Sequence, residues 1–266
     1  MAPVIVTFLS DFGLEDWFVG VVHGVILTRC AEARVVDLTH AIAPGDVAHG
    51  AFVLEAAAPD FPPGTVHLAV VDPGVGTRRL PLAVRARGQW FVGPDNGLLE
   101  WALLDPGAEA RALADARHFR APVSRTFHGR DVFAPVAAAL AGGARFEELG
   151  PVVRAPVRLE RPRPSLREGR LVGTVLFVDR FGNAITNLTG EDIAAAFPGA
   201  GDDALEVEIF GRTVRGVSRA YGDSPVGTLV AILGSSGRLE LAEVNGHAAS
   251  RWGIGPRDHV VVRRSA

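Results

Sequence analysis

The sequence predicts an α/β N-terminal domain, with a largely parallel sheet between helices, followed by a small antiparallel β-barrel domain. In the first half, continuous apolar runs alternate with segments of helical spacing, which is typical of a parallel sheet covered on both faces. In the second half, shorter β-type segments are separated by glycine turns, a pattern that fits a barrel and also allows a sandwich. Between the halves, residues 158–170 break both periodicities with prolines and charges. The predicted domains are therefore residues 1–160 and 170–266.

The N-terminal elements alternate between strand and helix. Strands are predicted at residues 4–9, 34–38 and 65–71, helices at 15–30, 46–58, 98–104 and from 130–132 to about 141, and a hairpin at 80–87 and 89–92. The last helix must begin near residues 130–132 because Pro135 is tolerated only in a first turn. Ligands of parallel sheets gather at the carboxyl ends of the strands, so we expect a site at that edge.

The second half is predicted to be built from strands. These lie at residues 171–178, 204–210, 213–217, 228–233, 239–241 and 259–262. Polar groups concentrate in its turns: Asp179, Phe181 and Asn183 lie in a turn at 179–187, and Ser235 and Ser236 lie between two glycines. Such residues often only satisfy local backbone groups, so each turn alone is a weak indication of a site. Tyr221, the single tyrosine, is expected at a strand end, either in edge packing or at a ligand.

Composition excludes several classes of mechanism. All 27 basic residues are arginine, so a Schiff base, a lysine general base and a P-loop lysine are ruled out. The net charge of −3 gives no general attraction to nucleic acid or to anionic membranes. One cysteine, Cys30, allows no disulfide framework, and the eight histidines show no zinc-site spacing, so no metal is expected. No apolar run reaches membrane-spanning length, and we expect a cytoplasmic protein.

The stretch Asp72-Pro73-Gly74-Val75-Gly76-Thr77-Arg78-Arg79 is the strongest local indication of a site. A buried strand delivers Asp72 to its end, and proline and glycines then force a tight turn that brings an arginine back toward the carboxylate. The opposite charge of a neighbouring arginine favours the ionised carboxylate. The pair is either a structural ion pair that closes the turn or part of a functional site, and these residues alone do not decide between the two.

Two further residues stand where a ligand could bind. Asp11 follows the first strand, so it shares the predicted edge of the sheet with Asp72. His128 immediately precedes a predicted helix start, where free N–H groups favour negative charge. A histidine in such a place is either a satisfied structural group or a functional one.

Five motifs occur in order over nearly the whole chain, at residues 9–13, 72–79, 127–131, 179–187 and 234–237. Together they resemble the S-adenosyl-L-methionine (SAM) hydroxide adenosyltransferases, also called adenosine-forming SAM hydrolases, which are related to the SAM-dependent fluorinase and chlorinase. The resemblance implies an Asp-Arg-His triad at Asp72, Arg79 and His128. Arg79 is preferred to Arg78 because the family's arginine lies seven positions after the aspartate.

The resemblance also implies substrate contacts. Asp11 matches a carboxylate that holds the ribose hydroxyls, Asp179 and Asn183 match methionine and adenine contacts, and Tyr221 matches an aromatic that stacks on adenine. Ser235 and Ser236 match the turn at the methionine end, and Phe181 belongs to the same expected set. Two segments depart from the family pattern: His23 stands where a lysine is usual, and residues 244–247 replace Asn-Gln-Gly-Ser. Neither departure touches the triad.

The implied reaction is hydrolysis of SAM to adenosine and L-methionine by in-line attack of water or hydroxide on the ribose C5′, without metal or cofactor. Halogenating relatives carry a tyrosine where this chain has Asp72, so halide as nucleophile is the less favoured alternative. A non-catalytic adenosyl-binding module is the third possibility. The family further implies a homotrimer in which the first domain of one subunit and the second domain of its neighbour form each site.

Overall fold

The computed structural model describes residues 4–265. The chain divides into two compact units, Met1–Glu160 and Arg161–Ala266. Within the described residues, no helix combines the length and apolar character needed to cross a bilayer.

The first unit is an α/β sheet. Its elements are β1 (Ile5–Ser10), α1 (Phe18–Arg29), β2 (Arg34–Thr39), α2 (Val47–Ala57), β3 (Val66–Val70), β4 (Pro81–Ala86), β5 (Gln89–Pro94), α3 (Glu100–Leu103), β6 (Glu109–Ala112) and α4 (Ala134–Ala141). The strand order is β2-β1-β3-β5-β4-β6, and the first four strands of that order are parallel. β4 runs antiparallel to both of its neighbours, as the predicted hairpin around Gly88 requires. The predicted largely parallel sheet is confirmed.

Two apolar layers cover the two faces of this sheet. Phe8 of β1 packs in one layer with Val22 and Ile26 of α1, whereas Leu9, the next residue of β1, packs in the other layer with Leu54 of α2. Successive side chains of a strand point to opposite faces, so a continuous apolar run supplies both layers. Each such fully buried side chain contributes roughly 1.5–3 kcal/mol of transfer free energy.

The register of the parallel strands decides where the polar ends meet. Ser10 of β1 pairs with Val70 of β3, so the residues that follow, Asp11 and Asp72, leave the same edge of the sheet. This is the carboxyl edge, where the sequence predicts a ligand site.

The second unit is a nearly closed antiparallel sheet. Its elements are β7 (Ser165–Arg167), β8 (Arg170–Val178), β9 (Ala184–Thr189), α5 (Gly190–Ala196), β10 (Leu205–Ile209), β11 (Arg212–Arg215), β12 (Leu229–Leu233), β13 (Arg238–Glu243), α6 (Ala248–Trp252) and β14 (His259–Arg264). The order is β11-β10-β14-β8-β9-β13-β12, with β7 paired to β8. A bridge between Ser218 and Ile232 brings the two ends together, which makes the sheet barrel-like. The predicted barrel is confirmed.

Several element predictions were wrong in detail. Residues 184–187 belong to strand β9, although their asparagine and threonine content indicates a turn; there Thr186 and Asn187 are buried and hydrogen-bonded. Tyr221 begins a short 3₁₀ turn rather than lying at a strand end. β6 and β7 are too short to give a period-2 signal and were not predicted.

Candidate active site: an Asp-Arg-His cluster and an acidic pocket

The turn after β3 brings Arg79 back onto Asp72. Val75 N–H donates to the Asp72 carbonyl, and Thr77 closes the next turn through both its N–H and its hydroxyl to Gly74. Gly76 has φ +75°, and a Cβ there would collide with the carbonyl of Arg125. Only glycine fits this position without displacing that backbone. The local sequence therefore produces the turn that the spacing of Asp72 and Arg79 predicts.

Asp72, Arg79 and His128 form one hydrogen-bonded cluster. Arg79 Nε donates to Asp72 Oδ1 at 2.8 Å, and Arg79 Nη2 contacts both Asp72 Oδ2 and His128 Nδ1, the latter at 2.9 Å. The side chains of Asp72 and Arg79 are 6% and 9% exposed, so this fork-shaped pair is shielded from water. The guanidinium also lies 5.0 Å from the ring centroid of Phe133. The structure thus brings together the three residues of the expected triad and leaves Arg78 exposed.

The contact with Arg79 determines the protonation state of His128. A guanidinium can only donate, so Nδ1 of His128 must accept and its proton must sit on Nε2. Burial and the positive charge of Arg79 lower the pKa of His128, against the smaller opposing effects of Asp72 and Asp131. His128 is therefore a neutral imidazole near pH 7, with an N–H to offer through Nε2.

Asp131 anchors the segment that carries His128. Its side chain is fully buried and accepts from Arg130 Nε at 2.7 Å and from the backbone N–H of Ser124 at 2.9 Å. Burial alone would raise the pKa of Asp131, but these hydrogen bonds outweigh it and the pKa is lowered. A π-helical turn, Gly129–Phe133, precedes α4, and His128 is its N-cap residue. The sequence predicts the helix start there but does not reveal the anchoring role of Asp131.

A small cavity of about 60 Å³ lies beside the cluster. Its polar wall comes from Asp11, Asp72 and His128, and its apolar wall includes Phe12 and Phe127. Asp11 Oδ2 accepts from the backbone N–H of Gly45 at 2.8 Å, which orients the carboxylate. Such a volume has room for a water molecule, and three polar side chains are enough to hydrogen-bond one. Asp11 thus joins the triad residues, as expected from the ends of β1 and β3.

The second unit contains a larger pocket of about 630 Å³, within the size range of small-molecule sites. Its wall is formed by Asp179, Phe181, Asn183, Tyr221, Ser235, Glu240, Glu243, Asn245 and Gly246. Five of the expected substrate-binding residues therefore lie together. Ser236, the remaining one of the six expected in this unit, lies next to Ser235 in the same turn but outside this wall.

Asp179 organises one side of the pocket. Its Oδ1 accepts from the backbone N–H groups of Phe181 and Asn183, and its Oδ2 accepts from the Asn183 amide at 3.1 Å. These bonds hold the turn so that the ring of Phe181 stands 73% exposed at the pocket. The same carboxylate therefore both satisfies the local backbone and faces the pocket.

Glu240 gives the pocket its acidic character. Tyr221 Oη donates to Glu240 Oε2 at 3.1 Å. Burial, and to a smaller extent the negative charge of Glu240, raises the pKa of Tyr221 to about 12. Burial and the nearby Asp179 raise the pKa of Glu240, partly offset by the bond from Tyr221. A Cβ at position 234 would overlap the Glu240 carboxylate, so the glycine gives this carboxylate room in its observed position. Two carboxylates and a tyrosine ring favour a cationic ligand with an aromatic part.

Glu240 and Glu243 are pocket residues that the sequence analysis missed, and Asn245 belongs to the segment 244–247 that it noted only as a departure from the family pattern. Glu240 and Glu243 lie in β13 and are buried, with 6% and 8% exposure, and Glu243 is paired with Arg251. Buried carboxylates are rare unless they are paired, so a glutamate between Leu239 and Leu241 in a predicted strand was a usable signal for Glu240. Away from these two sites, the described residues contain one group with metal-ligating potential, His23, Asp37 and His40, although the sequence predicts none.

The chain is similar to known proteins over most of its length. Residues 6–150 match the SAM hydroxide adenosyltransferase N-terminal domain, and residues 173–261 match the C-terminal domain of that family. The chain is 48% identical to the (R)-S-adenosyl-L-methionine hydrolase of Thermus thermophilus over 265 residues, 96% of each chain. It is 31% identical to the fluorinase of Nocardia brasiliensis, across 90% of this chain and 89% of that one.

A crystal structure of an uncharacterized conserved protein from Thermotoga maritima has the same fold. It matches with a TM-score of 0.91 at 35% identity, over 97% of this chain and 100% of that one. The two family domains together cover most of the sequence. The chain belongs to the SAM hydroxide adenosyltransferase family.

Proposed function

We propose that this protein hydrolyses SAM to adenosine and L-methionine. The observation that carries the proposal is the shared cavity of Asp11, Asp72 and His128, with Arg79 bonded to two of them. A relative 48% identical is named (R)-S-adenosyl-L-methionine hydrolase, whereas the fluorinase is 31% identical. We therefore propose the (R)-sulfonium diastereomer as the preferred substrate.

The substrate supplies its own leaving group. Attack of a water oxygen on C5′ forms the C5′–O bond, and the C5′–S electron pair returns to sulfur as the thioether of methionine. No atom of the leaving group needs a proton, so we propose that the reaction uses neither metal nor cofactor. The difficulty lies with the nucleophile, because bulk water has a pKa of about 15.7.

We propose distinct roles for the three triad residues. The Nε2–H of His128 donates to the water oxygen and orients it, because Nδ1 is occupied by Arg79. Asp72 accepts the proton as the C5′–O bond forms, using a lone pair that Arg79 leaves available. Arg79 holds both partners in place. Orientation in a dry cavity can supply about 7–11 kcal/mol of the barrier, and general-base assistance a further factor of about 10²–10⁴.

The remaining contacts are proposed from the family resemblance. Asp11 is proposed to accept from the ribose hydroxyls, and the ring of Tyr221 to stack on adenine. Asp179 and Asn183 are proposed to contact the methionine and adenine portions, with Phe181, Ser235 and Ser236 completing the wall. Glu240 and Glu243 add negative charge that suits a sulfonium and an ammonium group.

The family resemblance also supports a proposal about the assembly. We propose a homotrimer in which the triad of one subunit works with the acidic pocket of its neighbour. We also propose a cytoplasmic location, which the single cysteine supports because disulfide frameworks mark oxidising compartments.

Product analysis tests the function. Purified protein is incubated with SAM in the presence and absence of chloride and fluoride, and the products are separated by chromatography. Adenosine and methionine in equal amounts support hydrolysis. A 5′-halogenated nucleoside supports the halogenase alternative, and unchanged SAM that remains bound supports a non-catalytic adenosyl-binding module.

A further inference from the structure

A group of three metal-ligating side chains lies in the first unit, outside the residues assigned to catalysis. His23 stands on α1, Asp37 in β2, and His40 immediately after β2. His23 Nε2 lies 2.8 Å from Asp37 Oδ1, and His40 Nε2 lies 3.1 Å from the same oxygen. The three ligand atoms all lie within 4.8 Å of one another. The fold therefore converges two imidazoles and a carboxylate on one point.

Hydrogen bonding within the protein does not satisfy this group. His40 is only 5% exposed, and among the described residues its Nε2 has no hydrogen-bond partner, since the 3.1 Å approach to Asp37 is not aligned as a hydrogen bond. A buried polar atom without a partner costs about 1–3 kcal/mol. Two ligands of one ion direct their lone pairs at the ion and not at each other, so an approach of 3.1 Å without hydrogen-bond alignment is compatible with a shared cation.

The side chain of His40 is fixed by its neighbours in the way that is usual for a histidine that binds a metal. Its second ring nitrogen, Nδ1, lies 2.7 Å from the Ser10 hydroxyl, which also accepts from the backbone N–H of Phe12. The Phe8 ring packs 4.6 Å from the His40 ring and 6.0 Å from the His23 ring, measured between centroids. An outer partner on the second nitrogen fixes the tautomer and the direction of the ring.

An ion can reach the group from solvent. The side chains of His23 and Asp37 are 29% and 39% exposed, whereas that of His40 is 2% exposed. A closed pair of His23 and Asp37 explains two of the three residues but leaves His40 Nε2 unsatisfied. A bound cation explains all three.

We propose that His23, Asp37 and His40 bind one divalent first-row transition-metal ion, with Zn²⁺ the best match to two nitrogens and one oxygen. Three protein ligands leave a coordination position for water or another donor. The ion links α1, β2 and, through Ser10, the end of β1. Its role is structural and it takes no part in the attack of water on C5′. This inference is independent of the proposed function.

Equilibrium dialysis of the full-length protein without a histidine tag tests the site. The protein is stripped with chelator, dialysed against ZnCl₂ and analysed for metal by mass spectrometry. The His23→Ala and Asp37→Asn variants are compared with His259→Ala, which removes an exposed histidine of the second unit. We expect one Zn²⁺ per chain in the wild type and in His259→Ala, and at least ~10-fold weaker binding in the two cluster variants.

Two further measurements use the same proteins. Added Zn²⁺ is expected to raise the Tm of the wild type and of His259→Ala, and not that of the cluster variants, because an ion that binds only the folded state stabilises it. Co²⁺ is expected to give visible ligand-field bands with the wild type that the cluster variants lack. Absence of stoichiometric Zn²⁺ from the wild type, or equal binding by both cluster variants, overturns the proposal.

Discussion

Arg79 donates to His128 Nδ1 across 2.9 Å, and this single bond settles which nitrogen of the imidazole carries the proton. The same guanidinium donates hydrogen bonds to Asp72 through two nitrogens, Nε and Nη2. One arginine thus orients both partners of the proposed water, one as a hydrogen-bond donor and the other as a proton acceptor. The chemistry expected of the site depends on the neutral form of His128.

Turnover is expected to fall at acid pH as His128 becomes protonated. Burial and Arg79 lower the pKa of His128 below its ordinary value of 6.5, so the neutral form persists at neutral pH and is lost only as pH drops through the lowered pKa. Protonation places an N–H at Nδ1 against Arg79 and breaks the cluster. The measurement is kcat/KM across roughly pH 5 to 8, with an acid limb below pH 6.5. An acid limb centred above that value contradicts the assignment.

Arg79→Lys is expected to lower kcat by about 10²-fold, because a lysine cannot donate to Asp72 and His128 in the same fixed fork. Adenosine binding, measured by calorimetry, should change little. Arg78→Lys is the matched control, since Arg78 is exposed and adjacent in the chain. Equal losses in the two variants are incompatible with the role given to Arg79.

Asp72→Ala and His128→Ala are expected to retain adenosine binding and to lose turnover. Asp72 is the proposed proton acceptor and His128 the proposed water donor, so neither is needed to hold the nucleoside. Calorimetry with adenosine and a product assay with SAM are run on the same preparations. Full activity in either variant refutes the assigned role.

The sequence predicts the pairing of Asp72 with Arg79 better than it predicts the contact of His128 with that pair. Asp72 and Arg79 are seven residues apart, and the proline and glycines between them determine the turn, so their pairing is a local property. His128 joins them from 49 residues away, through the anchoring of its segment by the buried Asp131. That contact depends on tertiary packing and has no local signal, which is why only the family resemblance indicated it.

The acidic pocket and the histidine group were not predicted, because both depend on contacts between segments that are distant in the chain. β9 was predicted as a turn because buried Thr186 and Asn187 look polar in sequence, although their side chains are hydrogen-bonded inside the sheet. Without β9 as a neighbour, β13 could not be recognised as a strand paired on both sides, so the burial of Glu240 could not be predicted. His23 and His40 meet only because α1 crosses back beside β2, a relationship that linear spacing does not contain.

Tyr221→Ala is expected to raise KM for SAM by about 10- to 100-fold, because stacking of a base on an aromatic ring contributes about 1–3 kcal/mol. Tyr221→Phe keeps the ring and loses only the bond to Glu240, so its KM should stay much closer to the wild-type value. Phe210→Ala, at a 58% exposed aromatic of the same unit, controls for loss of surface area. Steady-state kinetics distinguishes the three. Identical KM values for Ala and Phe at position 221 contradict stacking.

Mixed oligomers of Asp72→Ala and Tyr221→Ala test the proposed assembly. If each site combines the triad of one subunit with the pocket of the next, random mixing leaves about one quarter of sites (one half times one half) with both parts intact. Assayed at SAM concentrations far below the raised KM of Tyr221→Ala, co-expressed and purified mixtures should therefore recover about a quarter of wild-type turnover. Under the same conditions Asp72→Ala alone recovers none, and Tyr221→Ala alone recovers about 1–10%, as its raised KM predicts. A mixture shown to be trimeric by light scattering that is no more active than Tyr221→Ala alone contradicts sharing between subunits.

The stability of the fold is expected to decline at acid pH because of His67. Burial, only partly opposed by Gln89, lowers the pKa of His67 from 6.5 to about 4, and its Nδ1 is bonded to Thr7 Oγ1 at 2.8 Å. Between these two values the unfolded chain binds a proton that the native state does not, so stability falls with falling pH, by about 3 kcal/mol in total. Urea unfolding of His67→Gln should show a flatter pH dependence than the wild type or than His259→Gln. Parallel profiles exclude His67 as the cause.

The most direct test of the central claim is hydrolysis of SAM in ¹⁸O-labelled water, followed by mass spectrometry of both products. Attack of an oriented water on C5′ places the label on the 5′-hydroxyl of adenosine and leaves methionine unlabelled. Methionine that carries the label, or adenosine without it, contradicts the account.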